Sequence, residues 1–561
     1  MNRSRLFAVT VILAVIGVAV LGRATQVCML EHDRWTDHAL KQQEKVIEIQ
    51  GPRGLIRSSD GYLLATSVQR WAVQVDTANL EYPELFAAVV SPILGETKST
   101  TVKRLRKDHR YVWLAKDLDL TTAKEIRKIE PLAVGLVPHW TRQYPLGRTA
   151  APIVGFVGRE ELRLKGRAGL ESYYQELLVG EPDRCLFMED AHGRQLRMEK
   201  VHPGRGGYDL ELTINAQLQQ VTESELEKTM LALDAEFGSI VVLEAHTGNL
   251  LALASAPFSN RPSNGVSYNE QCWSLRPVQA SIEPGSTMKP FVAAAGLAAG
   301  VIGRNELFDC RARGAQVAGR WIRDHADPGL YTIDGVIAQS SNAGIARVVL
   351  RIDEDLLWRT FDGLGFGKKP ELGFPGESCG QLWPVSRWST ISRVGLALGQ
   401  ELTVSPLQMA LAYAAVANGG WLPEPRLVER MHGQGKAPSD RIRPRTRVLG
   451  EDLARRITDM LEQVVTEGTG TMAQVPGFRV AGKTGTAQTT VNGTFDDEHH
   501  TAWFAGFLPL PEARWVVVVA IENPKEDFWA STVAAPLFAT VAEATARIGG
   551  VPPDLLVGDE V

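Results

Sequence analysis

The 561-residue chain has little cysteine, and what it has is scattered. Cys28, Cys185, Cys272, Cys310 and Cys379 form no Cys-x-x-Cys pair and stand at no zinc spacing from histidine, which excludes a cysteine-built metal site and a disulfide framework. One bridge among the last four stays open if they lie outside the cytoplasm. Excess charge of one sign is also missing: the net charge is -5, which gives no footing for nucleic acid. No repeat of fixed period, no low-complexity tract and, beyond the N-terminus, no second apolar run of spanning length interrupts the chain.

What is present is ordinary globular composition, 44% hydrophobic and 22% charged, over a length that calls for two or more folded units. After Arg3 and Arg5 comes "LFAVTVILAVIGVAVLG", residues 6–22, uncharged until Arg23. At 1.5 Å per residue it just crosses a thin bilayer, so we read a short tail (1–5) and an uncleaved transmembrane anchor (6–24). The leading basic residues put the N-terminus in the cytoplasm and the remaining chain outside the membrane. A cleaved signal peptide is the rival reading, since "AVLGRA" offers small residues.

The fold class expected is α+β multidomain. Residues 25–225 mix strand-like runs ("KVIEIQ", "WAVQVD") with charged helical stretches and read as an elongated α+β pedestal. Residues 226–550 read as a compact domain, with a tail at 551–561. "FGSIVVLEAHTGNLLALASA" (237–256) predicts a β-hairpin turning at Gly248 and Asn249. "FRVAGKTGTAQ" (478–488), "TAWFAGFL" (501–508) and "RWVVVVAI" (514–521) predict three more strands, and 531–548 a covering helix. Together they make a five-strand antiparallel sheet flanked by helices.

Three short stretches carry chemistry. In "EPGSTMKP", Ser286 and Lys289 lie one helical turn apart if Gly285 starts a helix, and a neutral Lys289 can accept the serine proton. Neutrality requires burial or a nearby cation such as Lys483. Pro290 lacks an N–H, which leaves the turn irregular. Alone, a Ser-x-x-Lys match arises about once by chance in a chain of this length. "QSSNAG" adds Ser340, Ser341 and Asn342: Ser340 to relay a proton, Asn342 to bond Lys289 and substrate. "AGKTGTAQ" adds Lys483 as a fixed charge for a substrate carboxylate, Thr484 and Thr486 as hydroxyl donors, and Gly485 as room for a peptide beside the strand. The N–H groups of Ser286 and Thr486 are the candidate oxyanion donors.

This ordered set resembles the active site of penicillin-binding proteins and serine β-lactamases, with Ser-Ser-Asn where Ser-Asp-Asn is common. "GPRGLIRSSDGYLLATS" (51–67), "RQYPLG", "GFVG", "GLESYYQELLVG", "DAHGR", "LTINAQLQ", "LTVSPLQMALAYAAVANGG" and "AWFAGF" extend the resemblance to class B penicillin-binding proteins over nearly everything after the anchor. The chain departs at Ser58–Ser59, at Pro152 where histidine is common, and at "FWASTVAAP", which lacks a Gly-Gly. The resemblance implies a peptidoglycan D,D-transpeptidase that cross-links stem peptides ending in D-Ala-D-Ala through a Ser286 acyl-enzyme and is acylated by β-lactams. Catalytic roles fall to Ser286, Lys289, Ser340 and Asn342, and substrate binding to Lys483, Thr484, Gly485 and Thr486. No cofactor and no metal is implied. Length points to the division-specific type, working with a polytopic membrane glycosyltransferase and other division proteins. An elongation-specific role, a β-lactamase or β-lactam sensor, and a non-catalytic division scaffold are the alternatives.

Other features read as bland. Arg53, Gly54 and Glu171 are fold determinants, Glu171 as an ion-pair partner. "DDEHH" (496–500) reads as a solvated loop, since its residues are consecutive rather than at ligand spacing. Trp503 and Phe504 read as core and cleft wall, and His325 has no assigned role.

Overall fold

A computed structural model describes residues 3–36, 44–106, 109–160, 163–189, 195–258, 270–303, 305–311, 314–324, 329–433, 445–491 and 494–553. His325 and most of the C-terminal tail lie outside them. The chain forms two compact units.

The first unit comprises residues 1–53, 67–141 and 179–207. Its opening helix α1 (Arg3–Thr25) overlaps a helical stretch, Arg5–Leu30, that is long and apolar enough to cross a membrane and has no residue buried against protein. Strands Glu44–Ile49, Asp183–Glu189 and Gln195–His202 form an antiparallel three-stranded sheet. A second core gathers Val73, Val75, Phe86, Val90, Leu114 and Ile126 under three short helices. Each of those helices has a reason to start where it does. Pro83 opens Pro83–Ile93, the Thr97 hydroxyl caps Lys98–Leu105, and the Asp119 carboxylate caps Leu120–Ile129.

The second unit comprises residues 54–66, 142–178 and 208–561. Its sheet has strands β1 (Phe237–Glu244), β2 (Leu250–Ala256), β3 (Ala481–Val491), β4 (Thr494–Leu508) and β5 (Trp515–Glu522), in the order β2-β1-β5-β4-β3, all antiparallel. The expected hairpin and meander are both there. Alternation sorts the side chains between two cores. Ile240, Val242, Phe504, Val517 and Val519 pack with helices α2 (Ala216–Leu233) and α7 (Ala530–Ile548). Val241, Leu243, Trp503, Val516 and Val518 face the central helices, among them α3 (Lys289–Ala298), α4 (Asn342–Val349), α5 (Pro406–Ala417) and α6 (Glu451–Thr466). With both faces covered, β1, β2 and β5 read as nearly unbroken apolar runs.

Several sequence features find local causes here. The Asp60 carboxylate accepts the N–H groups of Ala216 and Gln217 at the start of α2, and Gly61 turns with φ 86°. A side chain on Gly54 would lie 1.9 Å from the Tyr208 carbonyl. Arg142 and Glu171 form a fully buried ion pair at 2.6 Å. Ser405 and Gln408 close a capping box on α5. "DDEHH" is not a loop. It lies inside β4, because β3 and β4 continue as a ribbon in which Gln488 pairs with His500, Thr490 with Phe495 and Val491 with Thr494. Of the five residues, His500 is paired in the ladder, and the register shifts between Gln488 and Thr490.

Candidate active site

Ser286 sits where a loop becomes a helix. Gly285 is left-handed at φ 57°, and Gly285–Met288 make one 3-10 turn before α3 starts at Lys289. The expected α-helical start at Gly285 is therefore a tighter one. Pro290 offers no N–H to the Ser286 carbonyl, which accepts the N–H of Lys289 instead. With three residues per 3-10 turn, the side chains of Ser286 and Lys289 project from the same side.

The turn is clamped from outside through its carbonyls. Trp503 Nε1 donates to Glu283 O at 3.0 Å, Tyr413 OH to Thr287 O at 3.0 Å, and Thr287 Oγ1 to Pro284 O at 2.7 Å. The Gly285 N–H donates to Gly399 O at 3.1 Å. Gly399 has φ 75°, and a Cβ on it would stand 1.9 Å from Gly285 O. Only glycine allows that approach.

Lys289 is fully buried, and its Nζ donates to Ser340 O at 2.5 Å, Asn342 Oδ1 at 2.7 Å and Ser340 Oγ at 3.3 Å. None of these acceptors carries a charge. Burial pushes the amine down to about 7, against an upward pull from Asp324 and the Cys310 thiol. Burial, not the Lys483 cation, is the leading cause. The coupling falls on Lys483, which is fully buried on β3 and driven well below the ordinary lysine range by burial and then by Lys289. Lys483 Nζ donates to Thr484 O at 3.2 Å and Thr484 Oγ1 at 3.4 Å.

The remaining residues of the set converge on the same place. Ser340 has φ 55°, and Ser341 caps α4 through the Gly344 N–H. Thr484 Oγ1 shares a 2.7 Å hydrogen bond with Thr469, and Thr486 Oγ1 accepts the Ala530 N–H at 3.1 Å. Gly485 does not leave room for a substrate as expected. A Cβ there would meet Pro284 O at 2.8 Å and Thr287 Cγ2 at 2.9 Å, so its missing side chain lets the nucleophile turn pack on β3. A cleft of about 590 Å³ is lined by Ser286, Ser340, Asn342, Thr484 and Thr486, with Asp324 among them and a rim of Gln488, His500, Phe528 and Trp529. The rings of His500 and Phe528 stack at 4.2 Å. Among the described residues, no three His, Cys, Asp or Glu side chains converge as metal ligands.

Sequence reasoning missed Asp324, Tyr413 and Gly399, and saw Trp503 as packing without its hydrogen bond. No local pattern marks Tyr413, which reads as one more apolar position of α5. Asp324 lies in "RDHAD", a polar stretch with no motif around it.

Comparison with known proteins gives the site its setting. Residues 238–543 match the penicillin binding protein transpeptidase domain and residues 48–212 the penicillin-binding protein dimerisation domain. The probable peptidoglycan D,D-transpeptidase PenA of Neisseria gonorrhoeae is 30% identical over 536 residues, covering 92% of this chain and 89% of that protein. Peptidoglycan D,D-transpeptidase FtsI of Escherichia coli is 28% identical, with 96% and 91% covered, and stage V sporulation protein D of Bacillus subtilis is 28% identical, with 98% and 86% covered. Among solved structures, penicillin binding protein 2X of Streptococcus thermophilus superposes with a TM-score of 0.76 at 20% identity, covering 90% of this chain and 81% of that one. A peptidoglycan synthetase of Bifidobacterium adolescentis gives 0.73 at 24%, with 92% and 98% covered. These two likenesses concern the fold. With the transpeptidase match spanning more than half its length and the dimerisation match ahead of it, the chain belongs to the class B penicillin-binding proteins.

Proposed function

We propose that this chain is a membrane-anchored peptidoglycan D,D-transpeptidase serving septal wall synthesis, with Ser286 as its acyl nucleophile. The observation that carries the reading is the buried Lys289 amine, hydrogen-bonded to Ser340 and Asn342 and lying one 3-10 turn from Ser286. Ser286 Oγ attacks the carbonyl of the penultimate D-Ala while neutral Lys289 takes the hydroxyl proton. The oxyanion forms against the N–H groups of Ser286 and Thr486. As the C–N bond breaks, Ser340 passes the proton from Lys289 to the departing D-Ala amine. An amine from a neighbouring stem then attacks the ester, gives its proton back along the same route and frees Ser286. Lys483, with Thr484 and Thr486, receives the terminal carboxylate, and that anion restores the positive charge that burial disfavours. A β-lactam presents a comparable carbonyl and carboxylate and acylates the same serine.

Membrane anchoring with the N-terminus inside rests on α1 and its leading basic residues. The domain boundaries, 25–225 for the pedestal and 226–550 for the transpeptidase domain, belong to the same reading. The septal role rests on the resemblance to the division-specific type and on likeness to the Escherichia coli FtsI protein over 96% of this chain. It implies a polytopic membrane glycosyltransferase as supplier of glycan strands. The test is D-Ala release by the full chain from a donor ending in D-Ala-D-Ala in the presence of an amine acceptor. Release with formation of the cross-linked product, lost in Ser286→Ala, supports the proposal; hydrolysis without cross-linking contradicts it. Depleting the protein in its host is expected to give filaments; rounded cells would point to elongation.

A further inference from the structure

Asp324 follows the short strand Arg320–Ile322 and brings its carboxylate onto the start of α4. One oxygen accepts Ser341 Oγ at 2.6 Å, and the other accepts the N–H of Asn342 and, at 2.9 Å, that of Ala343. Ser341 Oγ accepts the Gly344 N–H at 2.9 Å. The first three N–H groups of α4 are thereby occupied by two side chains, one of them from outside the helix. Next to this cap, Asn342 Oδ1 and Ser340 O receive the Lys289 amine, with Ser340 in the left-handed region at φ 55°. A non-glycine residue keeps that conformation only where its surroundings dictate it. Here Ser340 is fixed between the helix Ile333–Ala338 and the capped start of α4. The chain carries Ser-Ser-Asn in place of Ser-Asp-Asn, and Asp324 delivers a carboxylate to the middle position from 17 residues upstream.

We propose that Asp324 is a positioning residue of the acylation step, whose carboxylate holds the Ser340–Asn342 corner in the geometry that receives the Lys289 amine. The role rests on the functional reading above. Asp324 acts through Ser341, Asn342 and Lys289 and makes no bond to the reacting carbonyl. Its charge has a second effect. The titratable groups facing the Lys289 amine are Asp324, the Cys310 thiol and Lys483, and Asp324 leads in favouring the protonated form. Removing that charge makes Lys289 easier to deprotonate.

The test uses the full chain and a fluorescent penicillin, with rates expressed per active site by titration. Asp324→Asn keeps one acceptor oxygen for the N–H groups and offers an amide to Ser341, so it folds, and it removes the charge alone. Its acylation rate is expected to reach half its plateau at lower pH than the parent, with a plateau within roughly tenfold. Asp324→Ala removes the hydrogen bonds too and is expected to lower the plateau by roughly ten- to a hundredfold. Adding Ser341→Asp to Asp324→Ala returns a carboxylate to the corner and is expected to recover part of that loss. Unchanged plateau and unchanged midpoint in both single variants, even with a lowered melting temperature, would show a purely structural role and overturn the proposal. A parent protein that forms no Ser286 adduct sinks the functional reading itself; normal parent labelling with indifferent Asp324 variants sinks only this inference.

Discussion

The backbone contact between Gly399 and Gly285 gives the sharpest quantitative prediction. A Cβ at residue 399 would lie 1.9 Å from Gly285 O and 2.4 Å from its carbonyl carbon. Ordinary contact begins near 3.4 Å, so the Gly285 carbonyl must retreat by about 1.5 Å in Gly399→Ala unless residue 399 moves instead. Gly399 also holds φ 75°, which costs alanine about 1–2 kcal/mol, and overpacking adds about 1–3 kcal/mol. The total expected loss of stability is roughly 2–5 kcal/mol. Because Ser286 is the next residue after Gly285, the nucleophile moves with the carbonyl, and a displacement of order 1 Å is worth about a hundredfold in rate. Gly300→Ala is the control. Gly300 has a similar φ of 67° at the end of α3, but nothing lies within 4 Å of its would-be Cβ. That variant is expected to lose only about 1–2 kcal/mol and to keep its acylation rate. The assay is the second-order rate of penicillin acylation beside a denaturant melt. Parent-like acylation by Gly399→Ala, or equal damage from both variants, would refute the reasoning.

Three further outcomes follow from the geometry. Lys289 loses its capacity as base when protonated, so with its pKa near 7 the acylation rate of the parent should rise about tenfold between pH 6 and pH 8; a flat or falling profile contradicts the assignment. Glu171→Ala removes the buried carboxylate that faces the fully buried Arg142 and should cost about 3–5 kcal/mol in denaturant unfolding while the folded fraction acylates normally; a loss below about 1 kcal/mol would show the pair to be unimportant. Tyr413→Phe leaves the buried Thr287 carbonyl without that donor and should cost about 1–2 kcal/mol together with a slower acylation, whereas an unchanged rate would separate this clamp from the chemistry.

The legible parts of the site were those in which chemistry and local geometry coincide. Ser286 and Lys289 share one turn, Ser340 and Asn342 share another, and Lys483 to Thr486 lie on one strand. β1, β2, β5 and the second half of β4 were legible as apolar runs with turn signals beside them, and β3 from the short apolar lead into its motif. What could not be read is what arrives from far along the chain. Asp324 reaches Ser341 from 17 residues upstream, Tyr413 reaches Thr287 from α5, and Gly399 meets Gly285 backbone to backbone. None of these contacts leaves a periodic trace. Gly485 shows how a residue can be singled out and its surroundings misjudged, since only the fold reveals that the turn at Pro284 and Thr287 fills the space. "DDEHH" failed for the opposite reason: its polar composition carries no strand signal, yet β4 runs through it.

The most direct test of the account is covalent labelling of the full chain with a fluorescent penicillin, with the modified peptide located by mass spectrometry and the lifetime of the adduct followed beside Ser286→Ala. The account predicts a single long-lived adduct on Ser286 that is absent from the alanine variant. An adduct on another residue, or one released by water within seconds, would contradict it.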